Sequence, residues 1–193
     1  MKIHTKVLAG ALIALGVAAP SQASLLFTLQ ESGGNVVASG SGTVNTAGLT
    51  LVDSGSGPAQ MMASLAFLGI GSTGSVQTYN GLTGPSNFGT GSFASASSGN
   101  GDLFGVFGAQ SRLSLHNGYQ SGNQLSGTAN WSGATFNSLG LTPGTYDWTW
   151  GTGGNADSAR LVIGNAPEPA TLALLAAGLA GLARARRQRR SAA

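Results

Sequence analysis

The chain has no cysteine, so no disulfide braces it and no thiolate serves as ligand or nucleophile. Charge is scarce: nine Lys and Arg and six Asp and Glu in 193 residues. Only two histidines occur, and His116 is the one outside the first 23 residues. Zinc sites of the usual Cys and His kind are thereby excluded. No G-x-S-x-G elbow exists to present a serine nucleophile, and a Ser-His-Asp triad would have to use His116. His116-Asn117-Gly118 reads more simply as a turn. The central part has no long segment of 3.6-residue period, which argues against a helical fold.

The positive charge sits at the two ends. The net charge is +3. Yet the stretch 24–166 holds only Arg112 and Arg160 against Glu31, Asp53, Asp102, Asp147 and Asp157, a balance of two against five, or −3. The basic excess therefore belongs to the termini, and nucleic acid is not an expected partner.

Met1 to Ala23 reads as a signal peptide. Lys2 and Lys6 precede an apolar run from Val7 to Ala19, closed by Pro20. Ser21 and Ala23 supply the small residues of a cleavage site, which predicts a cut between Ala23 and Ser24 by signal peptidase.

The other end has three parts in order: Pro167-Glu168-Pro169, an apolar run Leu172–Ala183, and the cluster Arg184, Arg186, Arg187, Arg189 and Arg190. The prolines lack N–H groups and disfavour helix in the residue before each, so the first part should be extended. The run contains only Leu, Ala and Gly. As a helix its about 12 residues reach roughly 18 Å, against roughly 30 Å of hydrocarbon. It is apolar enough to enter the inner membrane and short for a lasting span. The arginines should stay cytoplasmic.

These residues closely resemble the PEP-CTERM sorting signal of exported bacterial proteins. The resemblance implies that exosortase, a membrane protease-transpeptidase, processes the chain at Pro167, Glu168 and Pro169. It implies transient anchoring through Leu172–Ala183, then an outer-membrane, cell-surface or secreted location. It also implies a bacterium that makes exopolysaccharide, a possible partner. Tyr119 to Gly151, with Asn155 to Ser158, is similar to a block in other proteins bearing this tail. No site residue comes with it, and its expected form is a β-hairpin turning at Thr142 to Gly144.

Residues 24–166, about 143 in number, have the size of one domain. Gly, Ser, Thr and Asn abound, with Leu, Val, Phe, Tyr and Trp placed regularly among them. The expectation is all-β: a single β-sandwich or jelly roll of roughly ten short strands, with helices only in the two terminal segments. Expected strands are Leu25–Gln30, Asn35–Ser39, Gly42–Asn45, Leu49–Val52, Val76–Tyr79, Leu103–Phe107, Arg112–Leu115, Gln124–Trp131 and Ser158–Ile163. Thr145–Trp150 carries the clearest pattern, with Tyr146, Trp148 and Trp150 inward and Asp147 and Thr149 outward. Asn87–Ala96 and Ala134–Leu139 look extended, Met61–Leu68 fits helix or strand, and Asp53–Pro58 and Ser97–Gly101 read as turn or loop.

Chemical motifs are few. Gly69 to Gly74 matches G-x-G-x-x-G, but no helix follows it and the next acid is Asp102, so it reads as a loop. The loops at Asp102 and Asp157 offer oxygens to calcium but fall a residue short of the repeat pattern, and Asx-type turns are the plainer account. A glycosidase pair needs two carboxylates about 5–9.5 Å apart across one cleft. Nothing in the spacing of the five pairs them. Tryptophans can stack on sugars, but Trp148 and Trp150 should pack inward, which leaves Trp131 to test. The expectation is a structural or adhesive surface or matrix protein with no catalytic, metal or cofactor residues. A carbohydrate-binding module is the alternative, with a hydrolase behind it.

Overall fold

The computed structural model describes residues 24–164. Thirteen strands and four single-turn 3-10 helices account for its regular structure, and no α-helix occurs among the described residues. The strands form two sheets.

The six-stranded sheet has the order β12-β13-β1-β2-β11-β8. These strands are Gly144–Trp150, Asp157–Ile163, Leu25–Ser32, Asn35–Gly42, Leu125–Ser132 and Ser98–Gly101. Alternation fixes its inner face. Leu25, Phe27 and Leu29 of β1 are buried, while the residues between them turn outward. β1 and β2 form a hairpin through Gly33 and Gly34, at φ +58° and +77°, the left-handed pair that a two-residue hairpin loop requires. β1 runs parallel to β13, from Leu25 beside Ala159 to Leu29 beside Ile163.

The seven-stranded sheet has the order β3-β6-β10-β9-β5-β4-β7. Its strands are Thr50–Gly57, Gly74–Asn80, Arg112–His116, Phe104–Phe107, Phe67–Ile70, Gln60–Met62 and Ala94–Ser95. Residues of both sheets share one hydrophobic core. Phe27 of one sheet meets Phe104 of the other at 5.4 Å between ring centroids. Gly40 of β2 lets them approach: a Cβ there would lie 2.6 Å from Ile70 Cδ1 and 3.0 Å from both phenyl rings. No charged or polar residue is buried among those described.

The tryptophans are core residues that also hold irregular chain. Trp148 is fully buried, and its indole N–H donates to the Pro85 carbonyl at 2.9 Å. Trp150 donates to the Asn45 carbonyl at 2.9 Å. Their inward orientation, with Asp147 and Thr149 exposed, follows the pattern expected of Thr145–Trp150.

Several expected elements differ. Asp53–Gly57 is strand, not turn, because β3 pairs along its length with β6 across a bulge between Leu51 and Asp53. Ser98–Gly101 is the edge strand β8, not a loop, paired to β11. In both, backbone ladders define the strand and the small side chains contribute no pattern. Asn87–Ala96 is mostly irregular: Phe88 is buried, Gly89 makes one bridge to Leu141, and only Ala94–Ser95 is strand. Met61–Leu68 resolves into a hairpin of β4 and β5 around a 3-10 turn, with Ala66 left-handed at φ 48°. Gly42 ends β2, and no strand covers Thr43–Asn45. Ala134–Leu139 is a turn region, so the hairpin turning at Thr142 to Gly144 does not form. β12 pairs instead with β13, across residues 151–156. The expected terminal helices lie outside the described residues.

Candidate functional site

The outer face of the seven-stranded sheet carries a trough of about 230 Å³, open to solvent. Strand register builds it. One cross-strand row runs Gln60, Gly69, Gly105, Ser114, Thr78. The row two residues along runs Phe67, Phe107, Arg112. Gly69 and Gly105 sit side by side without side chains and form the floor. Gly105 is compelled, since a Cβ there would lie 2.1 Å from the Leu68 carbonyl oxygen. Gly69 is not: its Cβ would meet nothing closer than 3.7 Å.

Phe67 and Phe107 form one wall, their rings tilted by 37° with centroids 5.1 Å apart. Both are half-buried. The hydroxyls of Thr78 and Ser114 hydrogen-bond at 3.2 Å beyond the floor. Gln60, Gln110 and Arg112 also line it, as do Gly55 to Gly57 at the end of β3 and Pro58 after it. Arg112 makes no ion pair and no side-chain hydrogen bond among the described residues. Arg160, by contrast, bonds Asp147 through Nε at 2.6 Å and Nη2 at 3.1 Å. That partner raises the Arg160 pKa, first through the hydrogen bond and then through charge. The trough therefore offers an apolar wall, amide and hydroxyl groups, and one uncommitted guanidinium.

The residues singled out from sequence lie elsewhere. His116 ends β10, where its Nδ1 lies 3.1 Å from the Asn117 carbonyl oxygen and its ring packs edge-on to Tyr119 at 5.6 Å. Asp102 accepts the Ser126 N–H at 3.0 Å. Asp157 accepts from Asn45 and Ser158 backbone N–H groups, each at 2.7 Å. Glu31 accepts from the Phe136 N–H, and Asp53 from the Ser54 N–H at 2.8 Å. With Asp147 held by Arg160, the five carboxylates have five separate attachments. Among the described residues no three His, Asp or Glu side chains gather as a metal site would need.

Trp131 does not serve as a sugar platform. It is 3% exposed and donates its indole N–H to the Ala94 carbonyl at 3.2 Å. Its place in β11 makes it inward-facing, with Leu125 and Ala129. The aromatic wall of the trough is instead the half-buried pair Phe67 and Phe107, which sequence reasoning missed because they lie forty positions apart. Gly69, read as a loop glycine, lies within β5. Only residues 71–73 of the G-x-G-x-x-G match lie outside a strand.

Ser24 is the first described residue, and its carbonyl accepts from the Thr43 N–H at 2.9 Å. Ala23, Pro167, Glu168, Pro169 and the run Leu172–Ala183 lie outside the described residues. Among those described, no helix is long and apolar enough to cross a membrane.

Comparison with known proteins places the chain by its tail. Residues 165–190 match the family model of the PEP-CTERM protein-sorting motif. No curated protein and no solved structure matches the chain.

Proposed function

We propose that this chain, which carries the PEP-CTERM protein-sorting motif at residues 165–190, is a structural or adhesive component of the cell surface or extracellular matrix. The motif marks an exported protein that exosortase processes at the membrane. That single observation carries the reading, and the rest extends it.

The described domain fits the role. It has two sheets over one core, which we read as a β-sandwich, and its carboxylates are each engaged separately rather than gathered in a cleft. We read it as non-enzymatic. Signal peptidase would release Ser24 as the new N-terminus. Leu172–Ala183 would hold the other end in the inner membrane while the arginines stay behind in the cytoplasm. Pro167 to Pro169 would then stand extended at the outer face of that membrane, open to the transpeptidase. Cutting there removes all five tail arginines and leaves an acidic product.

The experiment replaces Glu168-Pro169 with Ala-Ala in a host that has exosortase. Uncut precursor should accumulate in the inner membrane with its β domain folded. A wild-type chain that keeps its arginine tail at its final location would make the segment an ordinary anchor and sink the sorting mechanism. A second reading, carbohydrate binding, is favoured by the trough, whose aromatic wall and polar row are the usual elements of a concave ligand site.

A further inference from the structure

We infer that the trough holds one carboxylate-bearing sugar ring of a longer polysaccharide, with Arg112 reading the acid. This rests on the carbohydrate reading and goes past it, naming the charge of the ligand and the residue that selects it.

Size sets the first limit. About 230 Å³ is below the roughly 300–1,000 Å³ of pockets for drug-sized ligands, so one ring fits and the rest of a chain must pass outside. The trough is open to solvent, which permits that. The wall sets the second. Phe67 and Phe107 offer half-buried apolar surface, which the C–H face of a pyranose can cover. The glycine floor lets such a ring sit close to backbone. Gln60 and the Ser114–Thr78 hydroxyl pair stand along the neighbouring row, within the same face, to meet ring hydroxyls.

Charge sets the third. Arg112 pairs with Phe107 in register and lines the same trough, so its side chain shares a face with the aromatic wall. Its five N–H donors match the two oxygens of a carboxylate in a planar arrangement that no amide reproduces. Asp53 lies in the Thr78 row on the edge strand, but it is exposed, does not line the trough, and accepts from the Ser54 N–H. The domain's balance of −3 makes a lone cation here a local departure from its background. The repulsion between a polyanion and the remaining acids is screened beyond about 8 Å at physiological salt.

The test titrates the full-length chain, in detergent micelles, with an oligogalacturonate, a neutral glucan oligomer of equal length and a short peptide with a free C-terminal carboxylate. Two variants accompany the wild type. Arg112→Gln removes the charge at a half-exposed position. Gly69→Val fills the floor where a Cβ has ordinary contacts. The wild type should bind the oligogalacturonate saturably and discriminate against the other two ligands. Arg112→Gln should weaken that binding at least about tenfold, the scale of a lost charged hydrogen bond. Gly69→Val should abolish it, and if that variant unfolds, Arg112→Gln decides alone. Equal affinity of Arg112→Gln, or no saturable uronate binding, overturns the inference. Neutral glucan bound as tightly overturns the acid selection and leaves the carbohydrate reading standing. Tighter binding of the peptide makes this a peptide-carboxylate site instead. None of these outcomes alters the processing result at Glu168-Pro169.

Discussion

Replacing Tyr119 by Phe tests how the loops at one end of the domain are held. Tyr119 is 7% exposed, and its hydroxyl serves three backbone groups. It accepts the Val44 N–H at 2.8 Å, lies 2.7 Å from the Asn123 carbonyl and 3.2 Å from the Val44 carbonyl. One O–H makes one strong donation, so the shorter contact to Asn123 takes it. Phe keeps the ring and its packing against His116 but leaves the Val44 N–H and the Asn123 carbonyl without that partner. A buried group left unsatisfied costs about 1–3 kcal/mol. The expected loss is therefore about 1–3 kcal/mol, or a Tm drop of about 4–10 °C in a domain this size. Burial also holds the Tyr119 hydroxyl above its ordinary pKa, with Asp157 adding to it, while the bond from Val44 opposes. A raised tyrosine pKa means that the folded state keeps a proton the unfolded chain releases. Its stabilising contribution is complete below about pH 10, the unfolded value, and is lost as pH rises through the folded value. Tyr119→Phe should thus flatten the alkaline fall in stability as well as lower the plateau. Urea unfolding from pH 7 to pH 11 reads both. An unchanged plateau, or an alkaline limb as steep as in the wild type, would refute the hydroxyl's role.

Four further outcomes follow from the same structure. Trp131→Ala should destabilise the domain by about 3–5 kcal/mol, as a buried aromatic does, and in urea unfolding a loss under 1 kcal/mol would show the ring to be dispensable to the core. Gly40→Val should lower stability by more than about 1 kcal/mol through overpacking between Phe27, Ile70 and Phe104, and a Tm equal to wild type would mean the sheets separate there freely. EDTA should leave the melting temperature unchanged, and a drop beyond about 4 °C, near 1 kcal/mol in a domain of this length, would assign calcium to the Asp102 or Asp157 loop. Mass spectrometry of exported protein should find Ser24 at the N-terminus, and an intact Met1 would remove the signal peptide from the account.

Strands with strong side-chain alternation were legible in the sequence. Thr145–Trp150 and Leu25–Gln30 put large apolar groups on one face, and the structure buries those faces. Strands of small polar residues were not. Ser98–Gly101 and Asp53–Gly57 are extended because neighbouring backbones pair with them, and a serine or glycine fits turn and ladder alike. Asn87–Ala96 failed in the opposite sense. It looked extended, yet Phe88 is buried beside Tyr146 and Gly89 makes a single bridge to Leu141, so tertiary anchors replace a ladder. The trough had no local signal at all. Phe67 and Phe107 become neighbours only once β5 and β9 pair, and Arg112 joins them through β10. The sorting tail was the reverse case, since its order of proline pair, apolar run and arginines is read along the chain without any fold.

The parallel pairing of β1 with β13 has a mechanical meaning. Both strands leave from the same end of the sheet, so Ser24 lies at one pole and Gly164 at the other. By register Ser24 lies level with Ser158, six residues before Gly164, a separation of about 20 Å along the strand. A tether attached beyond Gly164 therefore leaves the Ser24 pole as the far tip. β13 also lies inside the sheet, between β12 and β1. A pull along it is met by two ladders, the antiparallel one to β12 with bonds across the direction of force and the parallel one to β1 with slanted bonds. An edge strand has one ladder to meet such a pull, whereas β13 has two.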